Sequence, residues 1–258
     1  MQIIEGSIYD WPKYYEFIYG SDWQAECEFL TYCFDAFGEN PIRRLFEPAC
    51  GTGRLIYRLA RQGYEVGGLD LNPHAVRYCQ QRLEKAGFCS DVSVGDMCDF
   101  ACPKPWDAAF NTINSFRHLA SDEQAVAHLK SMAGCLRPGG IYVLGFHLTP
   151  TACEPQESES WTHRRGHLQI NASMWLIEKK PSQRSETFAL AFDVYTPSRQ
   201  FRIQDQFAFR TYTVPQFAEV LGQVPEFEVV ETFDFAYDQP ILLNDSTEDV
   251  VYILRRKA

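Results

Sequence analysis

The chain has 258 residues, of which 45% are hydrophobic and 14% aromatic, so it can form a sizeable core and is not intrinsically disordered. Its formal net charge of −10 argues against nucleic acid or an anionic membrane surface as the main partner. No apolar run approaches the roughly 18 residues of a membrane span, and the first residues lack the features of a signal peptide. Nine cysteines without a CxxC pair predict reduced, mostly buried thiols in a cytoplasmic protein.

Strands and helices alternate in the first half of the chain, because the hydrophobic pattern changes period repeatedly between residues 43 and 147. The predicted strands are Arg43–Glu47, Tyr64–Asp70, Asp91–Gly95, Trp106–Asn111 and Ile141–Phe146. The predicted helices are Thr52–Gln62, one that follows the Asn72 cap and ends at Ala86, and one from the Ser121 cap to Leu136. This alternation predicts a parallel, doubly wound α/β sheet, whose ligands bind at the carboxyl ends of the strands.

The alternation breaks after His147. Residues 150–160 are predicted as a polar loop, and three segments of period two follow at about 167–178, 185–195 and 200–211. They predict an antiparallel β meander inserted at residues 150–212. A helix at Val214–Leu221 and strands at Glu226–Phe235 and Asp249–Leu254 then complete a seven-stranded sheet. We therefore expect an α/β domain of residues 41–149 and 213–258, preceded by a helical lid segment at residues 1–40.

A glycine-containing loop follows the first predicted strand, with the sequence Phe46-Glu-Pro-Ala-Cys-Gly-Thr-Gly-Arg-Leu55. Gly51 and Gly53 permit a tight turn and close approach of a ligand, and the next helix directs its first N–H groups at that ligand. The third glycine of a dinucleotide fingerprint is replaced by Ile56, which weighs against a nicotinamide cofactor.

This loop resembles the first motif of the class I S-adenosylmethionine-dependent methyltransferases, and residues 40–148 agree with that family at further strand ends. Asp70, 19 residues after Gly51, resembles the acid that binds both ribose hydroxyls, and a carboxylate can accept from both. Gly95-Asp96-Met97 is similar to the adenine site, and Asn111-Thr-Ile-Asn-Ser115 to the motif beside the sulfonium and the acceptor. Arg137-Pro-Gly-Gly140 looks like the loop before the family's fifth strand.

The resemblance implies a Rossmann-like fold and S-adenosylmethionine as cofactor. Arg54 either binds the cofactor carboxylate or is a solvated residue of the first helical turn. The cofactor-binding residues implied by these motifs are Glu47, Ala49, Cys50, Gly51, Thr52, Gly53, Arg54, Asp70, Leu71, Asp96, Met97, Asn111 and Asn114.

Methyl transfer to a small molecule is the implied reaction, with N or O favoured over C as the nucleophile. His118 is the first candidate for a base, and Tyr15 belongs to a Tyr-rich N-terminal segment of the kind that covers the cofactor in such enzymes. Further candidates for the acceptor site are Arg117, His147 and Arg210. The meander is expected to form a wall or lid over the acceptor.

The sequence also bears on other classes of function. The fourth strand lacks the Asn/Asp-Pro-Pro-Tyr pattern of nucleic-acid amino-methyltransferases, and no metal site is expected from the HxxxH spacing of His163 and His167. A nicotinamide-dependent oxidoreductase and a non-catalytic binding or scaffold protein of the same fold are the alternatives. A second copy of the chain is a candidate partner.

Overall fold

The computed structural model describes residues 1–21, 23–153 and 158–258. In chain order the strands are β1 (Gln2–Glu5), β2 (Arg44–Pro48), β3 (Glu65–Asp70), β4 (Ser90–Val94), β5 (Trp106–Asn111), β6 (Leu136–His147), β7 (Ser158–Arg165), β8 (Leu168–Lys180), β9 (Ser185–Tyr195), β10 (Gln200–Arg210), β11 (Phe227–Phe233) and β12 (Asp249–Arg256). The helices are α1 (Pro12–Tyr19), α2 (Gln24–Phe37), α3 (Arg54–Arg61), α4 (Pro73–Lys85), α5 (Asp122–Cys135) and α6 (Val214–Gly222).

The main sheet has seven strands in the order β11-β12-β6-β5-β2-β3-β4. The pairings from β6 across to β4 are parallel, whereas β12 runs antiparallel to both β6 and β11. The predicted α/β fold with a mostly parallel seven-stranded sheet is therefore confirmed.

Helix starts follow the capping residues that the sequence contains. The Asn72 side chain accepts hydrogen bonds from two N–H groups in the first turn of α4, and Ser121 accepts one from the Gln124 N–H of α5. Thr213 forms a capping box with Gln216 at α6. These caps satisfy N–H groups that have no partner within the helix, so they fix where each helix begins.

A second sheet, of five strands in the order β1-β10-β9-β8-β7, contains the inserted meander. The predicted segments correspond to β8, β9 and β10, but the insertion also contributes β7, a mostly polar strand that starts inside the predicted loop. Residues 154–157 of that loop lie outside the described residues.

The N-terminal segment is not entirely helical, because residues 2–5 form β1 and pair in parallel with residues 201–204 of β10. The two parts of this segment pack into different hydrophobic cores. Ile8 and Ile18 are buried against the meander, beside Phe192 and Ile203, whereas Leu30 and Phe34 of α2 join the core of the main sheet. Ile8, Ile18 and the aromatic side chains of α1 thus belong to the insertion's hydrophobic core.

Two further expectations differ from the structure. Residues 137–140, expected as a loop, continue β6, and the pairing with β5 shifts register between Trp106 and Ala108 to accommodate them. Cys102 and Cys135 form a disulfide, because the end of α5 brings the Cα atom of Cys135 to 5.2 Å from that of Cys102. This pair therefore departs from the predicted reduced thiols.

None of the described helices combines the length and the apolar character required to cross a bilayer.

A buried ion pair joins the meander to the main domain. Arg117, in the short 3-10 helix after β5, donates to Glu186 of β9 at 2.7 Å, and the two side chains are only 7% and 11% exposed. The same guanidinium donates to the Arg210 carbonyl and lies 4.8 Å from the centre of the Phe209 ring. Loss of either partner would leave a charge buried without its counter-ion.

We expect Glu186→Gln to lower the free energy of unfolding by about 3 kcal/mol, because it removes the carboxylate that neutralises buried Arg117. Glu228→Gln is the control, since Glu228 lies 3.4 Å from Arg255 with 46% of its side chain exposed. That change should cost less than about 1 kcal/mol. Urea denaturation measures both, and equal losses would show that the Arg117–Glu186 pair does not anchor the meander.

Candidate active site

The loop between β2 and α3 is held against the end of β3 by Asp70. One Asp70 oxygen accepts from the Gly51 N–H at 2.7 Å, and the other accepts from the Asn72 N–H at 2.8 Å. The Cys50 N–H also donates to the Leu69 carbonyl at 2.9 Å. Burial raises the pKa of Asp70, and the two backbone hydrogen bonds oppose that rise. Asp70 therefore organises the loop besides being the predicted ribose ligand.

Glycine is required at two positions of this loop for different reasons. Both residues have positive φ, +53° at Gly51 and +70° at Gly53. A Cβ atom at Gly53 would lie 2.2 Å from the Cys79 sulfur of α4, so any other residue would push the loop off that helix. A Cβ at Gly51 would have no neighbour within 4 Å, which leaves open space above the backbone for a ligand.

Two buried acceptor atoms near the ends of β2 and β5 have no hydrogen-bond partner in the described part of the chain. Among the described residues, Glu47 Oε2 and Asn111 Oδ1 are buried and accept no hydrogen bond, while Asn111 Nδ2 donates to the Pro48 carbonyl at 2.8 Å. Burial raises the pKa of Glu47 well above its usual range. Because unpartnered buried acceptors are costly, these atoms suit a ligand that brings N–H donors, such as an amino-acid ammonium group.

Arg54 is neither solvated nor isolated. Its guanidinium donates to Glu26 of α2 at 2.6 Å, and Glu26 also accepts from the Thr112 hydroxyl at 2.8 Å. The pair is largely buried, with side chains 17% and 8% exposed. The alternative of a solvated first-turn arginine is therefore wrong, and contact of Arg54 with the cofactor carboxylate stays a prediction.

The N-terminal segment reaches the same loop. The Thr52 hydroxyl donates to Glu16 of α1 at 2.7 Å, and Glu16 also forms an ion pair with Arg82 of α4 at 2.7 Å. Tyr15 lies beside Tyr9, with ring centres 5.3 Å apart, and burial raises the pKa of Tyr15 to about 12. Tyr15 is thus a protonated phenol at neutral pH.

The predicted adenine residues lie in the turn after β4. The Gly95 N–H donates to the Asp70 carbonyl at 3.1 Å, which brings this turn next to the predicted ribose site. One oxygen of Asp96 accepts from the Cys98 N–H at 2.8 Å, which orients the carboxylate. Leu71, directly after Asp70, is 73% exposed. An apolar side chain in that position can cover one face of a planar ring.

His118 faces the N-terminal segment. Its Nε2 atom lies 3.3 Å from the Tyr9 hydroxyl, and its ring packs against Phe207 and Phe209 of β10. Burial lowers the pKa of His118 to about 4, with the charge of Arg117 adding to the effect, so the imidazole is neutral at pH 7. The structure brings His118 and Tyr15 close to the same residue, Tyr9, and both catalytic roles stay predictions.

A cavity of about 250 Å³ opens between the ends of β6 and β12 and the inner face of the meander. Asn114, predicted beside the sulfonium, lines it and accepts from the His147 N–H at 2.9 Å. His147 Nδ1 in turn lies 2.6 Å from Asp249 Oδ1. The apolar part of the wall comes from Leu148, Met174, Leu176, Phe188 and Phe209.

The sequence did not single out Asp249, Glu248 or Glu186, which also line this cavity. Asp249 stands opposite His147 only because β12 pairs antiparallel with β6. In the sequence, the position of Asp249 at the start of the last predicted strand was the available indication, and it does not predict that His147 is its partner.

Comparison with known proteins identifies the class. A family model described as a methyltransferase domain matches residues 46–140. A dTDP-3-amino-3,4,6-trideoxy-alpha-D-glucopyranose N,N-dimethyltransferase from Streptomyces venezuelae is 29% identical over 100 residues, or 39% of this chain and 40% of that protein.

Two solved structures share the fold along nearly the whole chain. DesVI of Streptomyces venezuelae has a TM-score of 0.79 at 18% identity and covers 99% of this chain and 100% of its own. The structure of CalS10 with S-adenosylmethionine bound, an amino pentose methyltransferase from Micromonospora echinaspora, has a TM-score of 0.73 at 17% identity, with 96% and 98% covered.

The chain therefore carries a methyltransferase domain at residues 46–140, on a fold that it shares with DesVI and with the S-adenosylmethionine-binding CalS10. It is therefore an enzyme of the transferase class, and S-adenosylmethionine is its cofactor. The nicotinamide alternative is wrong, in agreement with the missing third glycine at Ile56.

Asp70→Ala should weaken binding of S-adenosylhomocysteine at least tenfold, because it removes up to two charge-assisted hydrogen bonds worth about 1.5–3 kcal/mol each. Asp70→Asn should be milder, since its amide still has an acceptor oxygen for the Gly51 N–H. Titration calorimetry measures both, with Asp91→Ala on exposed β4 as the control. Wild-type affinity in Asp70→Ala would mean that the ribose binds elsewhere.

Proposed function

We propose that this enzyme methylates a nitrogen or oxygen nucleophile of a small molecule that binds in the cavity between β6, β12 and the meander. The observation that carries the proposal is the position of Asn114. This residue belongs to the motif predicted beside the sulfonium, and it also lines the cavity. An acceptor held there would meet the reactive end of the cofactor.

The chain's residues on this side of the site bind and orient the cofactor. Glu47 and Asn111 accept from the ammonium group, Asp70 accepts from the ribose hydroxyls, and the Asp96 carboxylate accepts from the adenine amine. S-adenosylmethionine supplies an activated methyl group as a sulfonium, so the protein needs mainly to align acceptor and donor and to exclude water. The N-terminal segment, fastened through Glu16 and Thr52, supports that exclusion.

The charges of the cavity favour a polar acceptor that can carry positive charge. Four carboxylates and two cationic side chains line it, namely Glu159, Glu186, Glu248, Asp249, Arg117 and Lys179. An amine or a hydroxyl on a compact molecule suits this wall better than a purely apolar or an anionic acceptor does. CalS10, which shares the fold, is named as an amino pentose methyltransferase, and this name supports an amine.

His147 and Asp249 can take up the proton that the acceptor loses. A carboxylate only accepts hydrogen bonds, so Nδ1 of His147 donates to Asp249, and Nε2 is the ring atom that faces away from this bond and can accept a proton. Asp249 orients the ring and balances the charge of the imidazolium that forms. His118, paired with the Tyr9 hydroxyl, is the second candidate for this role, with Tyr15 beside it.

A panel of amino sugars, aliphatic amines and phenols tests the proposal, with release of S-adenosylhomocysteine as the readout. For an acceptor found in this way, Asp249→Asn should lower kcat about 100-fold, because the His147 ring loses its carboxylate. Affinity for S-adenosylhomocysteine should not change, and Asp91→Asn should behave like the wild type. Full turnover in Asp249→Asn would remove this pair from the reaction.

The meander should select the acceptor and not hold the cofactor. Met174→Ala on β8 shortens the apolar wall, so the KM for the acceptor should rise roughly tenfold, equivalent to about 1.4 kcal/mol. Ile177→Ala on the same strand is the control, since Ile177 is 47% exposed. An equal loss of S-adenosylhomocysteine affinity in Met174→Ala would assign the meander to the cofactor site instead.

A further inference from the structure

His128 is a buried polar residue that the sequence did not single out. It lies in the middle of α5, within the main hydrophobic core, and is fully buried. Its Nδ1 atom is 2.9 Å from the Met97 carbonyl oxygen, and its Nε2 atom is 2.9 Å from the Tyr142 hydroxyl. Both ring nitrogens therefore have a partner, although a polar residue at this depth is unusual.

The partners determine which nitrogen carries the proton. A carbonyl oxygen only accepts, so Nδ1–H donates to Met97, and the Nε2 of the neutral ring accepts from the Tyr142 hydroxyl. Burial lowers the pKa of His128 to about 4, so the ring is neutral at pH 7. Burial also raises the pKa of Tyr142 well above its usual range, so its hydroxyl keeps the proton that it donates.

The imidazole has a fixed position because aromatic rings surround it. The Phe116 ring meets it edge to face at 5.6 Å, and the Phe100 ring lies 6.3 Å away, centre to centre. Phe100 itself stacks on Phe46 of β2 at 5.6 Å. A ring held in this way can set the position of the backbone to which it is bonded.

Met97 lies in the turn that carries the candidate adenine contacts. The other hydrogen bonds of this turn are local or reach only β3, from Gly95 to the Asp70 carbonyl and from Cys98 to the Asp96 carboxylate. His128 is 31 residues away in the chain and ties the turn to α5. The turn is therefore fastened on two sides, by β3 and by a helix of the core.

We infer that His128 is a positioning residue for adenine recognition: its Nδ1–H holds the Met97 carbonyl, and so places Asp96 and Met97 where the adenine ring binds. His128 does not touch the cofactor. The inference rests on the proposed assignment of Asp96 and Met97 to the adenine site.

Two substitutions separate the two hydrogen bonds of the ring. In His128→Asn the amide nitrogen lies close to the position of Nδ1 and can still donate to Met97. In His128→Gln the longer side chain reaches the position of Nε2 and can still pair with Tyr142. Both variants lose an aromatic ring, so their losses of folding stability should be similar.

Titration calorimetry with S-adenosylhomocysteine is the test. His128→Asn should bind within about threefold of the wild type, and His128→Gln should bind at least tenfold more weakly, equivalent to about 1.4 kcal/mol. Tyr142→Phe removes only the other partner of the ring, so its affinity should also stay within threefold. Equal weakening in His128→Asn and His128→Gln, or a tenfold loss in Tyr142→Phe, would overturn the inference.

A second ligand separates positioning from general destabilisation. S-inosylhomocysteine lacks the exocyclic amine, so the wild-type enzyme should prefer S-adenosylhomocysteine, and His128→Gln should lose much of that preference. Weakening of both ligands by the same factor would indicate a purely structural role and contradict the inference. Should the His128 variants fail to fold, NMR of the wild-type enzyme decides. The His128 Nδ1–H resonance should shift when S-adenosylhomocysteine binds, and an unchanged resonance would contradict the inference.

Asp96→Ala distinguishes failure of the inference from failure of the adenine assignment. If Asp96→Ala binds S-adenosylhomocysteine like the wild type, the adenine site itself is misplaced and the inference fails with it. If Asp96→Ala weakens binding while His128→Gln does not, the site stands and only the role of His128 is wrong.

Discussion

The hydrogen bond from the Gly51 N–H to the Asp70 carboxylate, 2.7 Å long, joins the ends of the two strands on which the cofactor site is built. It holds the loop after β2 in a left-handed conformation that Gly51 and Gly53 can adopt without strain. Gly53 then lies against Cys79, so α4 supports the loop from behind. The turn with Asp96 is attached to the same point through the Asp70 carbonyl. Displacement of Asp70 would therefore disturb three proposed contacts to the cofactor together.

The insertion and the N-terminal segment behave as one unit. β1 extends the meander sheet, and Ile8 and Ile18 share a core with Phe192. The same segment bonds to the cofactor loop through Glu16 and Thr52. A change at the meander can thus reach the cofactor loop through α1, which is why point substitutions in the cavity are better probes than deletion of the insertion.

Local patterns were sufficient to predict most of the fold and the loops that carry the cofactor motifs. The caps at Asn72 and Ser121, the glycines and the strand-end carboxylates act on neighbours in sequence, so they are visible without a structure. β7 was missed because its residues are mostly polar and exposed, and β1 because four residues, mostly exposed, carry no periodic pattern. The pairs His147–Asp249 and Arg117–Glu186 join residues 102 and 69 positions apart, and only the strand order brings them together.

A crystal structure of the enzyme with S-adenosylhomocysteine bound tests the central claim most directly. The account predicts that the ribose hydroxyls lie on Asp70, the adenine lies beside Asp96 and Met97, and the sulfur lies next to Asn114 at the mouth of the cavity. A ligand whose ribose lies away from Asp70, or whose sulfur faces away from the cavity, would contradict it.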